Sequence, residues 1–595
     1  MLLPKKDKQQ LIRAALNLSE NDTVISNVKI VNVLSGEIMA GNVYIKGAYI
    51  SFVDYELGPI PEGIFQIDGE SQYLTPGFID AHMHIESSML TPRNFAEMVV
   101  PYGTTTVVCD PHEMANVFGI AGIEYFLQNG EELPMRQLID IPSCVPSVAG
   151  LENSGATLYA KDIESIIKND RIVGLAEVMD YEGVIHSSPK ITDMIAEIEK
   201  NGKYIQGHAP KLTQNKLAAY LIGGPISDHE SSRVEEWLEK YRQGMHIDLR
   251  DSNTNKNLEI FAAKVSQLKY KDRFSFCTDD RRCNVTLKEG HINALVRKTI
   301  RAGMDPIDAI RMASYNAANE MNIPYLGAIA PGYVADLLLL DSFESMKPSL
   351  VIFEGQVVAE NGGLKRKIPP KKCSLEEINS INLPSLKRED LMIKAPDSVE
   401  DTAAMNFIEY ESFTSSFTKV QQDTFRVKNG FIDISDKADT MFVAVLNRYG
   451  LRTKSVTVVK KFGIHHGAVA SSISHDSHNI TVVYDTPENG LTAIERLVKQ
   501  KGGMAAVENG EILSALPLPV GGLMSLDSAE KVAAQVEDMS RANKKLGNIY
   551  LENPISRITI LALLVSPDVK LSDLGMVDVE RQEIIPLFPT DQRRE

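Results

Sequence analysis

The chain has 595 residues, with 62 Lys and Arg against 79 Asp and Glu, a formal net charge of −17. Such an acidic balance argues against the basic patch that nucleic-acid or anionic-membrane binding needs. A hydrophobic share of 43% with 24% charged residues marks a globular chain long enough for several cores, and five scattered cysteines without a Cys-x-x-Cys suit a reducing cytoplasm.

Residues 1–20 read as a short amphipathic helix around Leu11, Ile12, Ala15 and Leu16, with no apolar leader core before it. From residue 23 short β-rich runs follow, such as Val28, Ile30 and Val33, punctuated by Gly36, Gly41 and Gly47. They predict a small sheet of hairpins over 1–75. Over 76–325 apolar strand runs (104–108, 172–176, 204–207, 274–277) alternate with helical segments (191–200, 216–221, 234–240, 292–302). Repeated β–α units of that total length predict a single (β/α)₈ barrel, with its site at the strand C-termini. Residues 326–370 return to Gly-punctuated strands, expected to complete the N-terminal sheet as a composite β-domain. A linker at 365–372 carries Pro369-Pro370. Residues 400–595 predict a further α/β domain, with strands at 455–459 and 479–483 and helices near 491–499 and 529–546. No run is long and apolar enough to span a bilayer.

The chemistry-bearing residues stand where the barrel rule asks for them. Thr75-Pro-Gly-Phe-Ile-Asp-Ala-His-Met-His84 is a turn, a buried strand and two imidazoles at i and i+2, which point to one side. Neutral imidazole is a common ligand of divalent ions. Glu177, His208, His229 and Asp279 each follow a separate apolar run. Four His, one Glu and one Asp at one barrel mouth are enough for two divalent ions, and Glu177 has the two oxygens that bridging requires. Singly, each has an ordinary alternative: a loop histidine, a surface carboxylate, or a helix cap at Asp279. The convergence of all six favours the metal.

At these residues the chain resembles the amidohydrolase superfamily, and within it the bacterial adenine deaminases. The narrower resemblance lies in His84-Ile-Glu-Ser-Ser-Met-Leu-Thr-Pro92, Asp110-Pro-His-Glu-Met-Ala-Asn116, Gly290-His-Ile292, Gly327-Ala-Ile-Ala-Pro-Gly332, Ala470-Ser-Ser-Ile-Ser-His-Asp-Ser-His-Asn479 and Leu516-Pro-Leu-Pro519. It runs from about residue 25 to about residue 580. The chain departs from the family pattern at Arg250-Asp-Ser-Asn253, Arg282, Asn293 and Asn553-Pro-Ile555.

The resemblance implies a metal-dependent hydrolase barrel that converts adenine and water to hypoxanthine and ammonia. It implies two divalent ions, Mn²⁺ first with Fe²⁺ or Zn²⁺ as alternatives, on His82, His84, Glu177, His208, His229 and Asp279. Asp279 would move the water's proton to the departing amine. Glu113 or Asp251 would protonate ring N1 if burial raised its pKa. Arg250 would orient a carboxylate or the purine, or else be a surface side chain. His112, His475 and His478 are offered as substrate contacts. For His112 the competing role is shaping the loop at Pro111, and for the other two a plain polar turn. The 474–479 loop contributes little to a core, so it is expected near the barrel mouth, where closing off water strengthens electrostatic contacts. The departures leave another cyclic amine or amide as the alternative substrate. A small-molecule partner, a homodimer and a cytoplasmic location complete the expectation.

Overall fold

The computed structural model describes residues 5–253, 256–551, 554–566 and 568–589. Eight parallel strands form the barrel: β1 (Phe78–Met83), β2 (Thr104–Cys109), β3 (Arg136–Ile141), β4 (Ile172–Val178), β5 (Tyr204–Gly207), β6 (Ser227–Asp228), β7 (His246–Arg250) and β8 (Phe274–Cys277). Strands β1 to β5 pair in order, as do β6 to β8. The two seams are closed by backbone bonds, Ile226 N–H to Ile205 O at 3.0 Å and Asp279 N–H to His82 O at 3.1 Å. Every residue of β1, β2 and β3 is buried, which is why they show no in–out alternation of apolar and polar residues. The surrounding helices show the complementary pattern. In the helix Pro189–Lys200, Ile191, Met194, Ile195 and Ile198 form the buried stripe, and Pro189 opens it where a missing N–H costs nothing. Burial of each such side chain contributes about 1.5–3 kcal/mol.

The flanks of the barrel meet in one sheet. Tyr73–Pro76, the strand that leads into β1, pairs antiparallel with Leu337–Leu340, the strand that follows the last barrel helices. Thr23–Asn32, Glu37–Lys46 and Tyr49–Asp54 extend the sheet on one side, and Pro348–Phe353 and Gln356–Glu360 on the other. The N-terminal helix spans Lys5–Leu16, and Met1 to Pro4 of the expected helix lie outside the described residues. No helix among the described residues is long and apolar enough to cross a membrane.

A second nine-stranded sheet follows the 365–372 stretch. Its inner strands include Thr440–Leu446, Lys454–Lys460, Ala468–Ser471 and Ile480–Tyr484, and the helices Pro487–Lys499 and Ala529–Lys545 accompany it. The connection from Ala468–Ser471 to Ile480–Tyr484 is the 474–479 loop. It lies against the barrel mouth, where Asn479 Nδ2 donates to Asn153 O at 2.8 Å and His475 Nδ1 stands 2.8 Å from Glu113 Oε1. The domain is further tied to the barrel by Ser525 N–H to Met89 O at 2.9 Å. Of the departures in sequence, Asn553 lies outside the described residues.

Candidate metal centre and adjoining cavity

His82 closes β1 and His84 follows it, with both rings buried and 4.8 Å apart. Each ring has one nitrogen already committed. His82 Nδ1 lies 2.8 Å from Gln206 Oε1. Gln206 Nε2 donates to Ala81 O, so its oxygen faces His82 and His82 Nδ1 carries the proton. His84 Nδ1 donates to Asp110 O at 3.0 Å. Both histidines therefore turn Nε2 inward, the arrangement that orients metal-ligating imidazoles.

The other donors converge on the same point. Asp279 Oδ1 lies 3.2 Å from His84 Nε2 and 3.9 Å from His82 Nε2. Its backbone, with φ +52°, sits in the left-handed region that bulky residues avoid. The His84 N–H to Asp279 O bond at 3.4 Å helps hold it there. Glu177, at the end of β4, reaches both sides: Oε1 is 3.5 Å from His84 Nε2, while Oε2 is 2.6 Å from His208 Nδ1 and 3.2 Å from His229 Nε2. Burial would raise the Glu177 carboxyl, but His208 and His229 hold it well below the usual range. Asp279 is likewise held down against burial, by Arg250 and His84. Burial and its imidazole neighbours keep His82 neutral. At His84, burial and His112 are outweighed by Asp279 and Glu177, so the ring favours positive charge.

The donor set fits divalent ions. Among the described residues His82 Nε2 and His229 Nε2 are buried without a hydrogen bond of good geometry, an arrangement that costs about 1–3 kcal/mol per group unless something accepts the lone pair. Their donor atoms fall into overlapping groups, His82–His84–Asp279 and His82–Glu177–His229, each within 4.8 Å. Asp110 and His112 join a third group with His84 and Glu177, His112 Nδ1 being 2.9 Å from Asp110 Oδ2 and 3.5 Å from Glu177 Oε1. His112 thus stands beside the ligand set, whereas the sequence offered it to the substrate or to shaping the loop through Asp110-Pro111.

The remaining candidates divide. Arg250 is not a surface side chain. It is largely enclosed at the centre and ion-pairs with both Glu230 and Asp279. Asp251 points elsewhere, into a cationic cage of Lys298 (2.6 Å), Arg281 (3.2 Å) and Lys256 (3.2 Å). Burial would raise its carboxyl, but that cage holds it below the usual range, so the expected N1 donor is not found there. Glu113 lies 3.6 Å from His112 Nε2 and contacts His475 and His478. His478 Nδ1 accepts the Ser474 N–H, so its Nε2–H faces Glu113. Burial would raise Glu113 as expected, but the two histidines outweigh it and hold the carboxyl well below the usual range. It is an ionised acceptor rather than a neutral acid.

Beside the cluster opens a small cavity, with Glu113, Asp280, Glu86, His475 and Arg282 among its polar lining. Met89, Ile473, Leu523 and Ile560 supply apolar walls. The mix of convergent polar groups and apolar walls suits a small heterocycle. Glu86 went unnoticed in the sequence. Burial and the Glu113 charge push its carboxyl up to about 8, and Oε2 has no hydrogen-bond partner among the described residues. Its position two residues past His84 was the available signal. Two neighbouring carboxyls driven in opposite directions are the usual sign of acid–base chemistry.

Residues 73–358 match the amidohydrolase family and residues 415–583 the adenine deaminase C-terminal domain. The chain is 37% identical over 583 residues to an adenine deaminase of Listeria welshimeri serovar 6b, covering 98% of this chain and 99% of that one. It is 38% identical over 582 residues to that of Desulfatibacillum aliphaticivorans, covering 97% and 99%. It is 36% identical over 585 residues to adenine deaminase 2 of Carboxydothermus hydrogenoformans, covering 98% and 100%.

Proposed function

Since the chain belongs to the adenine deaminase family of the amidohydrolase superfamily, we infer that it is a metal-dependent aminohydrolase converting adenine and water to hypoxanthine and ammonia. The observation that carries the mechanism is the place of Glu177, whose two oxygens face separate imidazole groups. His82, His84, Glu177, His208, His229 and Asp279 would hold two divalent ions, Mn²⁺ first as the family resemblance implies, with Fe²⁺ or Zn²⁺ equally suited to the mixed nitrogen and oxygen donors. Bound there, the ions would lower the pKa of water and supply the nucleophile for C6. A homodimer and a cytoplasmic location complete the reading.

The protein's own groups move the protons and place the ring. Asp279, ionised and aligned by Arg250, takes the proton of the attacking water and returns it to the departing amine. Glu113 accepts a proton from His475 and passes it to N1, and the second proton of the water, released as the C6 hydroxyl becomes the carbonyl, replaces the one His475 gave up by exchange with solvent. Burial pulls His475 down, but Glu113, Asp280 and Asp476 outweigh it and raise it to about 9. His478, fully buried behind Glu113, fixes the carboxylate without reaching the cavity. The apolar walls exclude water from the reacting ring.

Two measurements test this. Metal-loaded protein incubated with a panel of purines and pyrimidines should release ammonia from adenine. Release from another cyclic amine alone would transfer the same chemistry to that substrate. A raised imidazole pKa means that the proton donor is present below about pH 9 and lost above it. The rate of adenine turnover should therefore fall as pH rises through about 9. His475→Asn should lower turnover about 10²–10⁴-fold and remove that alkaline limb with metal content unchanged. An identical limb in the variant would take His475 out of the proton path.

A further inference from the structure

The barrel interior carries a second cluster of metal-type donors, at the end opposite the mouth. His246 and Asp248 stand two apart on β7 and share one side of the strand. Ser275 of β8 is in register with Asp248. Glu320 ends the helix Ala317–Glu320, which packs against β1 and β8. All four side chains are buried. His246 Nε2 lies 3.1 Å from Ser275 Oγ and 3.4 Å from Glu320 Oε2, and Ser275 Oγ lies 3.2 Å from Glu320 Oε2. Asp248 Oδ1 is bonded to Ser275 Oγ and stands 4.0 Å from His246 Nε2. His246 opens β7, and Arg250, which reaches Asp279 at the mouth, closes it. At about 3.3 Å per residue the two lie about 13 Å apart along the strand.

The side chains of this cluster do not balance one another. Barrel interiors are usually filled by branched apolar residues, yet two carboxyl groups meet here. Among the described residues His246 is the only basic side chain within ion-pair distance of Asp248 or Glu320. Burial, helped by Arg273, pulls that imidazole down to about 3, so it is neutral. The Ser275 hydroxyl has one hydrogen for two carboxylates. Asp248 Oδ2 and Glu320 Oε1 are buried with no hydrogen-bond partner among the described residues. Such anions are costly unless they take up protons or a cation. Burial pushes both carboxyls up, which is the proton answer. The spacing points to the cation. Ligands held about 2.0–2.2 Å from one ion stand about 2.8–3.6 Å apart at octahedral or tetrahedral angles. The three separations among His246, Ser275 and Glu320 all fall in that range. An imidazole nitrogen with carboxylate oxygens is a donor set for a borderline divalent ion, and one such ion neutralises both carboxylates.

We propose that His246, Asp248 and Glu320 bind a structural divalent ion at the base of the barrel, separate from the centre at the mouth, with Ser275 orienting the Asp248 carboxylate. The ion ties the helix Ala317–Glu320 to β7 and takes no part in the reaction. Its existence does not depend on which substrate the mouth accepts.

The test compares the parent protein with Glu320→Gln, both produced in Zn²⁺-supplemented medium and freed of loose metal by gel filtration. Elemental analysis should find one ion per chain fewer in the variant; the difference is the readout, whatever the occupancy of the mouth. The variant should also have a lower thermal midpoint, with kcat/KM changed less than about threefold. Gln replaces a protonated carboxyl with little change in charge or shape, so equal ion counts and equal midpoints would establish the shared proton and overturn the ion. Equal counts with a lower midpoint would overturn it too. If Glu320→Gln loses more than one ion or fails to fold, anomalous diffraction at the zinc edge from crystals of the parent protein decides. A peak bounded by His246, Asp248 and Glu320 sustains the site; no peak there removes it.

Discussion

Replacing Glu177 by Gln is expected to abolish turnover by emptying the metal centre, with little effect on the cavity that receives the purine. The carboxylate is buried and reaches His84 through Oε1 and both His208 and His229 through Oε2. Three imidazoles are thus arranged around one anion. A neutral amide keeps the shape and one acceptor oxygen but loses the charge that offsets two cations, and its NH₂ turns a donor towards one of them. Activity should fall by at least about 10³-fold, a loss as large as that of a strong charge-stabilising group. Elemental analysis should find fewer than two ions per chain. Full occupancy in Glu177→Gln would show that the ions do not share this carboxylate.

The largest effect on stability is expected at Lys240. Its ammonium is wholly buried and bonds Ala209 O (2.5 Å), Asp228 Oδ2 (2.9 Å), Ser231 Oγ (2.9 Å) and Glu236 Oε1 (3.1 Å). Ala209 follows His208 and Asp228 precedes His229, so a single cation staples the ends of β5 and β6, where two candidate ligands stand. Burial would raise Asp228, yet Lys240 holds it far below the usual carboxylate range. Lys240→Met fills the same space and leaves two buried carboxylates without a counter-charge. Breaking a buried pair in this way costs about 3–5 kcal/mol, or a thermal midpoint lowered by roughly 6–20 °C for a barrel of this size. Metal affinity should fall with it as His208 and His229 lose their support. Scanning calorimetry on parent and variant with bound metal is the measurement; a midpoint shift of less than about 2 °C would show that the staple is unimportant.

What could be read from the sequence was whatever depends on local pattern. His82 and His84 declare themselves by their spacing at the end of an apolar run, and Glu177, His208, His229 and Asp279 by standing after four others. The return of Leu337–Leu340 to Tyr73–Pro76 was legible in the shared style of short strands broken by glycine. What depends on distant partners was not. Asp251 looks like a catalytic acid until Arg281 and Lys298 are folded around it. Glu113 was expected to be a neutral acid because burial raises carboxyls. Two imidazoles more than 350 residues further along the chain reverse the sign. Glu86 owes its neutrality partly to Glu113.

The hairpin that brings His475 and His478 to Glu113 also sets a timetable for biosynthesis. A ribosome finishes the barrel, with every candidate ligand from His82 to Asp279, well before it reaches the hairpin. At about 5–20 residues per second that interval lasts roughly 10–40 s. During it the nascent barrel mouth is uncovered, and ions reach the donors through open solvent. The hairpin then arrives as a stopper over donors already in place. Loading during synthesis and loading of the finished protein are therefore different processes, and an apo-protein prepared by chelation must open this stopper to regain its ions.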